Sequence, residues 1–235
     1  MVRYPVKIET GALLTWCKSN GATPGSGLAA MLCQVIAKEC QVKDGVVMAV
    51  LPASLRKFLH ADKTFKNCAS AYFLPAHPSE CSAMSTGELG AELRQDTKAM
   101  MDETHARLLF SSINMITHLG KKLPGYFLKN KLMAMSESHP QDTFTLDYVG
   151  SLRTNDYSDQ ITEVRYLNPD VFNGSLCVVL SETAGAFHIN FNQTFENDRY
   201  YTAFLKKLEE LDIPYVTLPK DSYLNPEVEL PREQK

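Results

Sequence analysis

Two periodicities divide the chain. "AFHINFNQ", residues 186–193, alternates, with Phe187, Ile189 and Phe191 on one side and His188, Asn190 and Asn192 on the other. Period-2 alternation marks a strand with one apolar face. "GSLCVVLSE" just before it reads the same way, and the intervening "TAG" predicts a hairpin. "GVVMAVL" is instead a continuous valine-rich run, the mark of a strand covered on both faces, and Pro52 ends it. "FKNCASAYFLPA", "DTFTLDYVGSL" and "ITEVRYL" are further predicted strands.

Helical spacing governs the remainder. "VKIETGALLTWCKSNG" begins extended and turns helical through Leu13, Leu14 and Cys17, ending at Gly21. Next, Thr23 is an N-cap and Pro24 a first helical residue. Leu28, Met31, Leu32, Val35 and Ile36 then form one apolar stripe, which predicts a buried amphipathic helix. The glycines around Ser26 are followed by no Lys-Ser or Lys-Thr, so a helix start is favoured over a phosphate loop. A long helix is predicted from Ser85 to about Ile116, with Ser85 and Glu88 as a capping box. A second helical stretch follows with Tyr126, Phe127 and Leu132. The last helix, "NDRYYTAFLKKLEELDI", aligns Tyr201, Phe204, Leu205 and Leu208. Residues 216–235 are punctuated by proline and acidic, and are expected to form a loose tail after a lobe spanning 1–215. The elements together predict an α/β (α+β) fold, helices layered on one mixed sheet.

Composition narrows the function. Of 235 residues, 44 % are hydrophobic, enough for a full core. A net charge of −3 with no basic block argues against nucleic acid or an anionic membrane surface as partner. The apolar runs are too short to span a bilayer, and "MVRYPVKIET" offers no signal-peptide core. Six cysteines without paired spacing read as small buried hydrophobes in a reducing compartment, so a cytoplasmic location is expected. The Asn-x-Ser/Thr matches at Asn173 and Asn192 then carry no glycan. No His, Cys or Asp grouping has metal-ligand spacing, so no metal is expected. His60, His77, His105, His118 and His139 read as solvated or locally hydrogen-bonded, and Glu88, Glu92 and Asp102 as a solvated face.

Four segments, in order, carry a resemblance. "GATPGSGLAAMLCQVIAK" matches a Thr-x-x-x-hydrophobic-x-Ala-Ala helix. "VLPASLRKF…DKTFKN" matches a valine-x-valine-Pro-x-x-Leu-Arg segment followed by Lys-Thr-x-x-Asn. "TFTLDYVGSL" stands where a Thr-x-Ser-Asn-x-Gly strand is expected, and "NFNQTFEND" where a His-His-x-x-x-Asp-Gly motif is expected. Over roughly residues 5–215 the chain resembles the C-terminal lobe of the condensation-type acyltransferases. These have the chloramphenicol acetyltransferase-like two-layer fold and include alcohol acyltransferases, polyketide-associated acyltransferases and condensation domains of nonribosomal peptide synthetases.

The resemblance implies a division of labour. Family enzymes pair two such lobes around a tunnel. The N-terminal lobe carries the motif, whose second histidine is the base, while the C-terminal lobe carries a decayed copy. Here Asn192, Gln193, Thr194, Phe195, Glu196, Asn197 and Asp198 occupy the motif frame, and no His-His-x-x-x-Asp-Gly string occurs in the chain. Acyl transfer needs a base within about 3 Å of the acceptor proton and a donor to the oxyanion. The expected role is therefore half a tunnel, with acyl-CoA or an acyl-carrier phosphopantetheine as co-substrate, no tightly bound cofactor, and an alcohol or amine acceptor. The base would come from an N-terminal lobe in the same or another chain. The other reading is a catalytically silent binding or assembly module that self-associates.

Residue by residue, Arg56 matches the family arginine and is read either as tunnel-lining or as a locally paired surface arginine. Asn67 matches the turn asparagine and is expected to hold its loop. Thr145, Asp147, Tyr148 and Gly150 fall on the Ser-Asn-x-Gly strand and are expected to line the tunnel. Asp147 replaces the serine and Tyr148 the asparagine. An ionised carboxylate cannot donate a hydrogen bond, so Thr145 or Tyr148 would have to serve as oxyanion donor. His188, on a polar strand face beside the motif frame, is the single candidate base within the chain.

Overall fold

A computed structural model of the chain describes residues 1–61, 63–65, 68–122, 125–126, 128–131, 143–151, 161, 166 and 176–222. The strands are β1 (Val2–Glu9), β2 (Val47–Ser54), β3 (Ala69–Ala76), β4 (Phe144–Ser151), β5 (Leu176–Thr183), β6 (Ala186–Gln193), β7 (Tyr215–Thr217) and β8 (Asp221–Ser222). The helices are α1 (Thr10–Ser19), α2 (Pro24–Glu39), α3 (Pro78–Ala83), α4 (Thr86–Met100), α5 (Glu103–Lys122) and α6 (Arg199–Glu210).

All the strands join one mixed sheet, ordered β3-β2-β4-β5-β6-β1-β7, with β8 also on β1. β2, β4 and β5 run parallel, and the other pairings are antiparallel. The β5–β6 hairpin forms as predicted. Its two turn residues, Ala184 and Gly185, both have positive φ (51° and 75°), which matches the twist of the flanking strands.

The helices cover one face of the sheet, giving two layers. Ile8, Leu146, Val178, Ile189 and Phe191 pack with Leu28, Met31 and Leu32 of α2 and with Phe204 and Leu208 of α6 in a single core. α2 starts as predicted. The Thr23 side chain accepts from the Ser26 N–H at 3.2 Å, the Ser26 hydroxyl accepts from the Thr23 N–H at 3.0 Å, and Pro24 opens the first turn. Buried nearly all round, α2 is the central helix of the layer. An aromatic chain of Tyr4, Tyr201, Phe191 and Phe204, with centroids 5.1–5.5 Å apart, fastens α6 to β1 and β6.

Three expectations change. The long helix is two, because Asp102 accepts from the His105 N–H at 2.7 Å and so caps a new start. Residues 216–222 lie in the expected tail, yet part of them pairs with β1 through β7 and β8. Cys40 is exposed at the end of α2, its Sγ 3.1 Å from the Tyr200 hydroxyl, whereas the other five cysteines are buried. Of "ITEVRYL" only Ile161 and Tyr166 are described, and Phe127 and Leu132 fall outside the described residues. None of the described helices is long and apolar enough to cross a membrane.

Candidate functional site

Alternation along the strands puts polar side chains on the face away from the helices, and strand pairing arranges them in rows. Thr145, Cys177, Asn192 and Arg3 form one row; Asp147, Val179, Asn190 and Pro5 the next; Gly150, Ser181, His188 and Lys7 the third. Four sequence-predicted residues, Thr145, Asp147, Gly150 and His188, thereby share a face. Two strand spacings, roughly 10 Å, separate the β4 residues from those of β6. This face is not a wet one: Arg3, Ser181, His188, Asn190 and Asn192 are each at most 3 % exposed.

Burial favours partners for these groups; some find them, while Ser181 Oγ, Asn190 Nδ2 and Asn192 Oδ1 are buried without one. The Arg3 guanidinium donates to Asn190 Oδ1 at 3.2 Å and pairs with the Asp221 carboxylate on β8. The motif frame follows directly. Gln193 Nε2 donates to the carbonyls of Phe195 and Asn197, both at 2.7 Å, and Asn197 Oδ1 accepts from the Arg199 N–H at 2.9 Å. The Tyr4 hydroxyl donates to the Glu196 carbonyl at 2.7 Å. Amides thus staple residues 194–198 into the turn that starts α6. An uncharged side-chain amide is a poor base, so Asn192 and Gln193, at the places of the two motif histidines, can hold a loop but are not suited to take a proton from an alcohol or amine.

Asp147 is half-buried, and desolvation raises its carboxyl above the usual carboxylate range. That direction favours the protonated form, the one able to donate. Gly150, at φ 86°, sits where the β4–β5 register slips by one residue, a β-bulge that favours glycine. Arg56 lies half-buried in the turn after β2, its N–H donating to Ser54 Oγ at 3.4 Å. Asn67 lies outside the described residues. Among the described residues no three His, Cys, Asp or Glu side chains group as metal ligands.

Tyr148 faces the other way, on the helix side of the sheet, and is 41 % exposed. Its ring centroid is 6.5 Å from that of Phe187, and it lines a cavity of about 280 Å³ between the start of α2, the ends of α4 and β2, and β4. Thr23, Gly25, Ser26, Pro52, Ser54, Tyr72 and Leu146 are among the other lining residues. Tyr72 lines it with little of its surface, and its hydroxyl oxygen is buried without a hydrogen-bond partner. Sequence reading missed Tyr72: in "CASAYFLPA" it is one more aromatic strand residue, and only the pairing of Tyr72 with Leu51 brings it to the cavity. A larger surface groove of about 1,040 Å³ lies between α2, α3 and α6, lined by Lys38, Lys43, Lys206 and Lys207 but by none of the predicted site residues.

No protein-family model and no curated protein matches the chain. Solved structures do. F. sporotrichioides TRI101 complexed with coenzyme A and T-2 superposes with a TM-score of 0.63 at 12 % identity, over 91 % of this chain and 50 % of that one. For the first condensation domain of the CDA synthetase the TM-score is 0.53 at 14 % identity, over 90 % and 45 %. Polyketide synthase associated protein 5 from Mycobacterium tuberculosis gives 0.54 at 14 % identity, over 88 % and 52 %. The fold is that of the condensation-type acyltransferases. The chain spans about half the length of these structures. In this chloramphenicol acetyltransferase-like fold the stapled turn 194–198 joins β6 to α6.

Proposed function

We propose that the chain is an acyltransferase lobe, the counterpart of a C-terminal half. It forms one wall of a tunnel in which an acyl group passes from a CoA or carrier-protein thioester to an alcohol or amine. The catalytic histidine comes from a second lobe, in the same polypeptide or another. The observation that carries this reading is the clamp made by Gln193. Its amide bonds to Phe195 and Asn197 spend the motif position on holding a loop, so proton abstraction must be done elsewhere. Two neighbours solved with coenzyme A, both TRI101 proteins, support a CoA thioester as the donor. Thr145, Asp147 and Gly150 on the polar face, with Arg56 beyond β2, are the tunnel-side residues, and Asn67 supports the loop.

The test is an acetyl-transfer assay. The purified chain, given acetyl-CoA and a panel of alcohols and amines, releases no free CoA above the rate of spontaneous hydrolysis. Addition of a separately expressed lobe bearing His-His-x-x-x-Asp-Gly restores transfer. Robust turnover by the chain alone, lost in His188→Ala, overturns the proposal and makes His188 the base.

A silent assembly module is the second reading, and α5 favours it. Leu108, Met115 and Leu119 are 49–67 % exposed at positions 0, 7 and 11 of one helix, a stripe able to drive association. A stable homo-oligomer in size-exclusion chromatography, dispersed by Leu108→Glu with Met115→Glu, and no complementation by a motif-bearing lobe would favour that reading.

A further inference from the structure

We propose that the groove of about 1,040 Å³ between α2, α3 and α6 is a docking site for an acidic amphipathic helix of a partner protein. The groove lies in the helical layer and shares no residue with the polar face of the sheet, so it stands apart from the acyl-transfer reading.

Charge marks the groove out. The chain carries a net charge of −3, yet Lys38, Lys43, Lys206 and Lys207 line this groove against two glutamates, Glu39 and Glu210. Both glutamates are already answered. Glu210 pairs with Lys207 at 2.7 Å, and Glu39 lies by the Arg199 guanidinium. Lys38, Lys43 and Lys206 are exposed, and among the described residues none of them makes an ion pair. Lys38 and Lys207 stand in the last turns of α2 and α6, where they also offset the helix dipoles. Lys43 and Lys206 have no such duty.

Lining and shape select a helix as the occupant. Half-buried Val42, Met84, Ala203 and Leu211 supply an apolar lining, and Val42, Met84 and Leu211 rest on the core beneath. No strand borders the groove, so an extended peptide finds no sheet edge to pair with. No arginine and no aromatic ring lines it, so it lacks the fork that grips a phosphate and the surface that stacks a base. A helix about 10 Å across, rising about 1.5 Å per residue, fills roughly 120 Å³ per residue. The 1,040 Å³ therefore takes up about nine residues, or two and a half turns. Leucines on one side of such a helix meet the apolar lining while its glutamates meet the lysines of α2 and α6.

The experiment follows the fluorescence anisotropy of a labelled peptide, two repeats of Glu-Leu-Ala-Glu-Leu-Leu-Glu, titrated with the full 235-residue chain. Saturable binding that weakens as salt rises is expected. Lys43→Glu with Lys206→Glu weakens it by roughly tenfold or more, because like charges then face each other across the interface. Lys18→Glu with Lys98→Glu makes the same charge change at exposed residues outside the groove, and shifts affinity by less than about twofold. A peptide with serine in place of leucine loses binding, since charge alone does not seat it. The Lys43 and Lys206 double variant keeps the parent's melting temperature, because neither lysine makes an ion pair, so lost docking is not lost fold. Absence of saturable binding, equal affinity of the two double variants, or undiminished binding of the serine peptide overturns the proposal. Displacement of the peptide by inorganic pyrophosphate, where chloride of equal ionic strength does not displace it, makes the groove a phosphate site and overturns it too.

Discussion

The two faces of the sheet are built from alternate residues of the same strands, and both are buried. On β6, Phe187, Ile189 and Phe191 lie under the helices, while His188, Asn190 and Asn192 lie on the reverse, none of the six more than 3 % exposed. Their energetics differ in kind. The apolar face is stabilised by area removed from water and by close packing, so the loss of a ring costs a transfer term plus a cavity term. On the polar face each hydrogen bond is worth only about 1 kcal/mol net, while an orphaned partner costs the full desolvation of a buried group. The first face tolerates a swap of similar volume. The second tolerates replacement of a whole network better than removal of one member.

That contrast can be broken most directly at Phe191. Phe191→Ala is expected to destabilise by about 3–5 kcal/mol, seen as a lower urea midpoint with the slope unchanged. Arg3→Ala comes next, at about 2–3 kcal/mol, below the cost of breaking a fully buried pair because Asp221 still reaches water. A change under about 0.5 kcal/mol, the worth of an exposed ion pair, would mean that the polar face is wet and the comparison wrong. Gln193→Leu should cost about 1–2 kcal/mol by orphaning two loop carbonyls, with faster amide exchange at the start of α6 as the readout. Gly150→Ala meets no atom within 4 Å, so its cost of about 1 kcal/mol is purely that of a positive φ.

The smallest effect is a matter of pH. The Asp147 carboxyl is held above its unfolded pKa by burial, so the folded state binds its proton more tightly. Stability is then fullest below the unfolded value of about 3.9 and declines as pH rises through the folded value. Asp147→Asn should remove that decline and leave the variant slightly more stable at neutral pH. Denaturant midpoints for both proteins across this range check it, and parallel curves would sink the assignment.

Local chemistry was legible wherever neighbours in sequence settle it. Thr23, Pro24 and Ser26 start α2 because a cap and its helix lie within four residues, and Ser85 with Glu88 starts α4 for the same reason. The hairpin at Ala184 and Gly185 was readable from its alternation and turn length. Asp102 defeated the reading of one long helix because its side chain competes with the backbone for the His105 N–H, a choice invisible to hydrophobic periodicity. β7 and β8 could not be read from "YVTLPKDS", since their register comes from a strand more than two hundred residues earlier.

The candidate site divides along the same line. The sequence alone determined the alternation that gathers Thr145, Asp147 and His188 on one face, the motif frame without histidines, and the cap that opens α2. Tertiary structure alone decided that the polar face is buried, that Arg3 reaches Asp221, that Gln193 staples its loop, and that Tyr148 and Tyr72 meet at one cavity. Periodicity states which side chains share a side of a strand. What lies against that side is set by long-range packing, because burial and hydrogen-bond satisfaction belong to the assembled layers and not to any one segment.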